Sequence, residues 1–191
     1  MPFITKALGD IAKSYKQAAQ QIHVAEARAL KRVGVSIKAG QSREITQTVN
    51  LRAGTIKDEL RIKGQPTASN LSLVFQVKAR GVPLREFIGT RETKRGVSVK
   101  VLKQGPRAVL RAAFGADKFG GHYFGRVGVG SKQYGSPHVG RLPIKKLYGP
   151  NVLSQYISDA VQQRGDDTWN QRLPIELDRE VAFALKKAGV T

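Results

Sequence analysis

Between Ile11 and Ile37, apolar and small residues recur at steps of three and four: Ile11, Tyr15, Ala18, Ile22, Ala25, Ala29, Val33 and Ile37. An α-helix turns once every 3.6 residues, so this spacing lays them on one stripe. Lys13, Lys16, Gln20, Gln21, Arg28, Lys31 and Arg32 fall largely off the stripe and leave the other face wet and mostly basic. At 1.5 Å per residue the helix would be a rod of roughly 40 Å, longer than one side of a small domain. The expectation is that part of it packs on something beyond its own core. The pattern pauses at Gly40 and resumes from Ser42 to Asn50, with Ile45 and Val49 one turn apart. Either the helix continues through Gly40, or it restarts with Ser42 as N-cap and folds back on the sheet. A shorter helix follows, with Thr55 and Asp58 at capping-box spacing, Ile56, Leu60 and Ile62 on its apolar side, and Gly64-Gln65-Pro66 as its end.

The period then changes to two. Leu71, Leu73, Phe75 and Val77 alternate as a strand, Arg80-Gly81-Val82-Pro83 reads as a turn, and Leu84 to Ile88 continues the strand briefly. Val97, Val99 and Val101 alternate with Ser98 and Lys100, which predicts a second strand with a cationic outer face. Ala108 to Phe114 is a third, and Tyr123 to Val129 a fourth. Their connections are too short for helical crossovers, so the sheet is expected to be antiparallel. The stretch 115–140 holds eight glycines and reads as loops. The helical period returns in Val152, Tyr156, Ile157 and Val161. A polar break over Gln163 to Trp169 is expected before a last helix opened by Pro174 at its first position. That helix would carry Leu177, Val181, Ala184 and Leu185 on one side, with Lys186 and Lys187 in its last turn and Gly189 stopping it. Helices, then strands, then helices make the fold class α+β by segregation. The expected organisation is one domain, with 1–50 a helical arm or layer, 51–149 a basic β region and 150–191 the C-terminal helices.

Composition sharpens this picture mainly through charge. Hydrophobic residues are 40% of the 191, enough for a core, and no run approaches the eighteen or so apolar residues of a membrane span. Met1 to Lys6 lacks the apolar region of a secretory signal, and the absence of cysteine excludes disulfides, thiolate metal sites and cysteine nucleophiles. The formal net charge is +19, unevenly spread: 8 basic and 3 acidic residues in 1–50, 20 and 5 in 51–149, and 5 and 6 in 150–191. A surplus of this size repels itself unless a polyanion or an acidic partner offsets it. Arg91, Lys94, Arg95, Lys100, Lys103, Arg107 and Arg111 fall within two predicted strands and their turns. Such a surface suits a phosphate backbone or an acidic protein without reading bases. Aromatic residues are sparse there, which argues against a single-strand stacking platform, and no helix-turn-helix layout is present.

Catalytic chemistry is harder to find. Gly125 to Lys132 has the two spaced glycines of a phosphate loop but reverses its final Lys and Ser, and Gly128-Val129-Gly130 lacks the third glycine of a dinucleotide fingerprint. His23, His122 and His138 are too scattered for a metal site. Glu176, Asp178 and Glu180 fit the first turns of a last helix, where they would offset its dipole. No nucleophile–base pair emerges, and the chain reads as a non-enzyme without cofactor or metal.

The order of features resembles a known family. Ala25 to Val33 leads into Val49-Asn-Leu-Arg-Ala-Gly-Thr-Ile-Lys-Asp-Glu-Leu-Arg-Ile62; a basic β region follows, then Leu142-Pro-Ile-Lys-Lys-Leu-Tyr-Gly-Pro150 and Arg172-Leu-Pro-Ile-Glu-Leu-Asp-Arg-Glu180. This resembles the minor tail protein Z family of long-tailed bacteriophages, the tail completion proteins, from about Ala18 to Leu185. The resemblance implies a structural virion protein, made in the host cytoplasm, that acts at the head-proximal end of the tail in tail completion and head–tail joining. By analogy with phage tails it implies a homo-oligomeric ring, six-fold. Tail terminator, tail tube and head–tail connector would be its partners, and genomic double-stranded DNA would pass by. On that reading the stripe Ile11, Tyr15, Ala18, Ile22, Ala25, Ala29 and Val33 is a candidate assembly interface. A non-sequence-specific nucleic-acid-binding protein is the alternative that charge alone suggests.

Overall fold

The apolar stripe does form a helix, and it is longer than its pattern. In the computed structural model, which describes residues 2–126 and 144–187 (side chains from 16 onward, 18 excepted), α1 runs Pro2–Thr48 without interruption. Of the two alternatives at Gly40, the continuous helix is the one observed. Gly40 is buried, and a Cβ there would lie 3.4 Å from the Thr168 hydroxyl and 3.8 Å from Arg164. Its small size therefore serves close packing rather than a chain break. Ser42 is buried in mid-helix instead of capping a new one, and its carbonyl accepts the Thr46 hydroxyl at 2.6 Å.

The elements after α1 are α2 Ala53–Glu59, β1 Leu60–Lys63, β2 Val74–Val77, a single 3-10 turn Leu84–Glu86, β3 Arg91–Thr93, β4 Gly96–Val99, β5 Ala108–Leu110 and β6 Ala113–Ala116. A 3-10 turn Asp117–Phe119, β7 His122–Arg126, β8 Ile144–Lys146, α3 Leu153–Tyr156 and α4 Asp159–Lys187 complete the order. Long helices at both ends and antiparallel sheets between them make the fold α+β. The chain groups into two compact units. One comprises 1–40, 61–76 and 163–191; the other comprises 41–60 and 77–162.

In the first unit, α4 runs antiparallel to α1: Gly40 faces Arg164 and Thr168, while Arg32 reaches Glu176 and Glu180. Ala25, Ala29, Val33 and Ile37 are buried there. On another side of the helix, Gly34 admits the β1–β2 ribbon, since a Cβ would stand 2.7 Å from Leu73 and 3.4 Å from Ile62. The expected break at Gln163 to Trp169 does not occur. Val161, Gly165 and Glu180 are buried and Thr168, Trp169, Leu173 and Leu177 half-buried, so a covered seam at steps of three and four passes through the polar stretch. Pro174 thus sits inside α4 instead of opening a helix. Pro174 and Asn170, whose carbonyl loses its helical donor, are both exposed, so water can serve that carbonyl. Glu176 and Glu180 are correspondingly mid-helix and face Arg32 rather than the helix dipole. Gly189 lies outside the described residues.

The second unit is built on one apolar cluster. Ile45, Val49, Leu51, Ile56, Val82, Leu84, Phe87, Val97, Val99, Ala113, Leu147, Val152 and Val161 form it. β3, β4 and β5 make one antiparallel sheet, and β6, β7 and β8 another. The predicted strand from Ala108 to Phe114 is split between them, because Ala112 adopts a left-handed φ of 58° that no strand accommodates. Leu84–Glu86 is a 3-10 turn, not a strand, since Pro83 before it and the Glu86 and Phe87 amides bonded back to Pro83 and Leu84 wind the chain. Ile62 belongs to β1 rather than to α2. Thr55 does not cap α2; its hydroxyl donates to Glu86 at 3.1 Å.

The end of α1 is fastened to this unit by Asn50. Its amide donates to the Val101 carbonyl at 2.8 Å, and its own carbonyl accepts the Ile88 amide at 2.9 Å. Its side-chain amide donates to Ile88 O at 2.8 Å and Lys100 O at 3.0 Å. Val49 and Leu51 form single bridges to Leu102 and Phe87 on either side. Asn50→Ala would leave the part-buried Lys100 carbonyl and the exposed Ile88 carbonyl without this donor and is expected to cost about 1–2 kcal/mol, read as a lower urea midpoint with unchanged slope.

Candidate nucleic-acid interface

The β3–β4–β5 sheet has two unlike faces, and the alternation of side chains fixes which residues each face receives. Register pairs Glu92 with Val97 and Val97 with Leu110; it pairs Arg91 with Ser98 and Ser98 with Val109. Val97 and Val99 enter the core, together with Leu110 beside them. The other face therefore receives Arg91, Ser98 and Val109, with Lys100 and Arg107 beyond one end and Arg111 beyond the other. Lys94 and Arg95 form the tip of the β3–β4 hairpin, and Lys103 lies in the β4–β5 connection. The structure brings the seven predicted cations onto this outer face and its two ends. Six are exposed and Lys100 is half-buried.

One detail departs from expectation. Ser98 is not on an open cationic face; all four residues of β4 are buried. β4 is the central strand, and Arg107 lies across Ser98, donating from Nε to its hydroxyl at 3.1 Å and from Nη2 to the Gly89 carbonyl. The hairpin depends on Gly96. Its φ is 122°, and a Cβ there would stand 2.1 Å from the Leu110 carbonyl oxygen, so no other residue fits.

Acidic groups do not neutralise this face. Among the described residues, none of the seven cations forms an ion pair. Glu92 is on the inner side, where its carboxylate accepts the Gly115 amide at 3.1 Å. Glu86 is engaged elsewhere. Burial alone would raise its carboxyl, but hydrogen bonds from Arg85 and Thr55 and the charges of Arg85 and Arg52 outweigh burial and hold it below the usual carboxylate range.

The β6–β7–β8 sheet carries a second group that sequence reasoning did not single out. Phe114, Phe124 and Lys146 lie across from one another in register. Arg85, from the 3-10 turn, donates to the Gly120 carbonyl at 2.5 Å. Lys146 Nζ stands 2.9 Å from His122 Nε2. An ammonium can only donate, so Nε2 accepts and the ring is neutral. Burial, then the charges of Lys146 and Arg85, depress the His122 pKa. The signal that could have found this group is Gly120-Gly121, a hairpin turn between Phe114-Gly-Ala116 and His122-Tyr-Phe124, inside what reads as loop.

A cleft of about 370 Å³ lined by Gln47, Thr48, Leu102, Gln104 and Gly105 offers no titratable side chain. Among the described residues, no three His, Asp or Glu side chains converge as a metal site, and no helix is long and apolar enough to cross a membrane. His138 and the segment from Gly128 to Lys132 lie outside the described residues.

The candidate assembly stripe fares differently from the basic cluster. Ala25, Ala29 and Val33 are buried within the single chain and Ile22 is half-buried. The side chains of Ile11, Tyr15 and Ala18 lie outside the described residues. Comparison with known proteins adds no relative: no protein-family model, curated protein or solved structure matches the chain.

The His122 arrangement predicts a pH response. The folded ring binds its proton less tightly than the unfolded one, so the unfolded state takes up more protons as pH falls and stability falls with it. The loss begins near the ordinary histidine value, about 6.5, and levels off below the folded value. Urea midpoints at pH 7.5 and 5.0 should differ more for the native chain than for His122→Gln; equal differences would contradict the assignment.

Proposed function

We propose that this chain is a structural, non-enzymatic protein of the head-proximal end of a long-tailed phage tail. It acts in tail completion and head–tail joining, with the outer face of the β3–β4–β5 sheet turned toward DNA. The resemblance of the Asn50–Ile62 segment and of the two Leu-Pro-Ile segments to the minor tail protein Z family supports the assembly role. The observation that carries the DNA contact is the strand register. It gathers Arg91, Arg107 and Arg111 on one face, with Lys94 and Arg95 at its hairpin tip and no acidic partner among the described residues. Arginines spaced along a sheet can follow a phosphate backbone, releasing counterions without reading bases. The partners on this reading are further copies of the chain in a ring, probed as hexamers, and the tail terminator, tail tube and connector.

A second reading rests on the same cationic face: a nucleic-acid-binding protein without sequence preference and without a place in a virion. The two readings part in vivo. Deleting the gene from its phage should leave heads and tails in the lysate but few infectious particles; a normal plaque yield would remove the tail assignment. In vitro, affinity for duplex DNA should fall steeply with salt. Reversing Arg91, Lys94, Arg95 and Lys100 to Glu should flatten the log–log slope by about three to four units, near one per phosphate contact. In the phage, the same reversal should impair DNA retention or ejection while particles still assemble. Failed assembly would instead identify this face as a protein interface.

A further inference from the structure

The outer face of the β6–β7–β8 sheet combines aromatic rings and cations in a way the β3–β4–β5 face does not. Register and alternation put Phe114, Phe124, Lys146, His122 and Arg126 on it. The opposite side gives Ala113, Leu147 and Tyr123 to the apolar core, so this face points away from it. The Phe114 and Phe124 rings stack with centroids 6.3 Å apart and 29° between planes. Phe119, in the turn between β6 and β7, meets Phe124 in a T-shaped pair with centroids 5.6 Å apart and 64° between planes. The Arg126 guanidinium lies 4.8 Å from the centre of Phe114, and the Lys146 ammonium 5.6 Å from that of Tyr148.

These rings are not core residues. Phe119 is 60% and Tyr148 54% exposed, and the other two phenylalanines are half-buried. A phenylalanine left this open contributes little to the fold that a leucine would not. An open ring offers a planar face to a planar ligand. The cations beside it define the ligand's charge: in 113–126 and 144–148 the one acidic residue is Asp117, against Lys118, Arg126, Lys145 and Lys146. A planar, anionic and repeating partner is a nucleic acid with its bases unpaired, because a duplex keeps its base faces stacked inside. A second copy of this chain would bring two sets of Arg126 and Lys146 together, and like charges oppose that contact.

We propose that this face binds single-stranded nucleic acid. Bases stack on Phe119, Phe124 and Tyr148, and the phosphates meet Arg126 and Lys146. The site is separate from the β3–β4–β5 face and does not depend on the tail assignment. Where that face offers Val109 alone among its cations, and so holds a backbone, this one offers rings and so holds bases.

The test compares a labelled dT oligomer with an abasic phosphodiester of the same length, by fluorescence anisotropy with the full chain at one salt concentration. The dT oligomer should bind about tenfold tighter or more. Phe119→Ala should remove about tenfold of that affinity and leave the abasic oligomer unchanged, since base–aromatic stacking is sequence-tolerant but needs the base. Phe119 is exposed, so its removal should not move the urea midpoint; Tyr148→Ala provides a second variant of the same kind. Equal binding of the two oligomers, or full dT affinity in both variants, would overturn the proposal. Full dT affinity in Phe119→Ala with a smaller assembly than the native chain in sedimentation would also overturn it, in favour of a second copy. Reversing Arg91, Lys94 and Arg95 should leave the dT-to-abasic ratio intact; its collapse would assign the bases to the other face and overturn the proposal.

Discussion

Asn50 ends α1 and at the same time completes the sheet region of the second unit. Its backbone donates to Val101 and accepts from Ile88, and its side chain returns to Ile88 and Lys100. A helix terminus ordinarily leaves carbonyls and amides seeking partners. Here the chain leaves the helix directly into a strand-like passage between 87–88 and 100–102, and the Lys103 amide takes the Thr48 carbonyl at 3.0 Å. Asparagine suits the position because its amide offers two donors from a short stem, enough to reach one carbonyl on each side. The core positions Val49 and Leu51 are set by this fastening, as are the start of β3 and the end of β4. The cationic face inherits its alignment from the same point.

The few acidic side chains explain why a chain of net charge +19 leaves its outer sheet faces unneutralised. Several of them serve the folded structure, while Glu26 pairs with the exposed His23 at 2.9 Å. Glu59 is buried and holds Lys78 at 3.3 Å and Arg80 at 3.7 Å; Glu180 is buried and holds Arg32 at 2.9 Å. Glu176 stands 3.6 Å from Arg32 and 3.7 Å from Arg179, within ion-pair reach but too far to hydrogen-bond through its buried oxygen. Glu92 takes a backbone amide and Glu86 a hydroxyl and a guanidinium. Buried carboxylates need such partners because desolvation penalises an unpaired charge. With these acids so engaged, they do little to offset the cations of the outer sheet faces.

The α+β class, the first helix, the strand at Val97 and Val99, and the seven cations were all legible in the sequence, because each rests on a local period or on composition. The failures came where a longer-range contact outweighs a local rule. Pro174 and the polar run before it read as a break, yet the half-buried seam of α4 against α1 carries the helix through. Ala112 reads as mid-strand, and only the pairing of β5 with β4 and of β6 with β7 reveals the left-handed residue between them. The aromatic face escaped for a similar reason. Phe114 and Phe124 lie ten positions apart in a stretch dominated by glycine, and their meeting is a product of register. The stripe of small residues on α1 is helical, as its period predicts, but periodicity cannot say whether its cover comes from the same chain or another.

The interleaving of the two units has a consequence for the order in which the protein takes shape during synthesis. The second unit draws its residues from 41–60 and 77–162, whereas the first needs 163–191 to complete it. On a ribosome the chain for the sheets and their core is available while α4 is still being translated. Over that interval Ala25, Ala29 and Val33, later buried, have no α4 to meet, and Arg32 waits for Glu176 and Glu180. On the side that α4 covers, the stripe therefore stays open until the last helix is made. Arg28, Lys31 and Arg32 beside it carry like charge, which opposes the meeting of two such stripes.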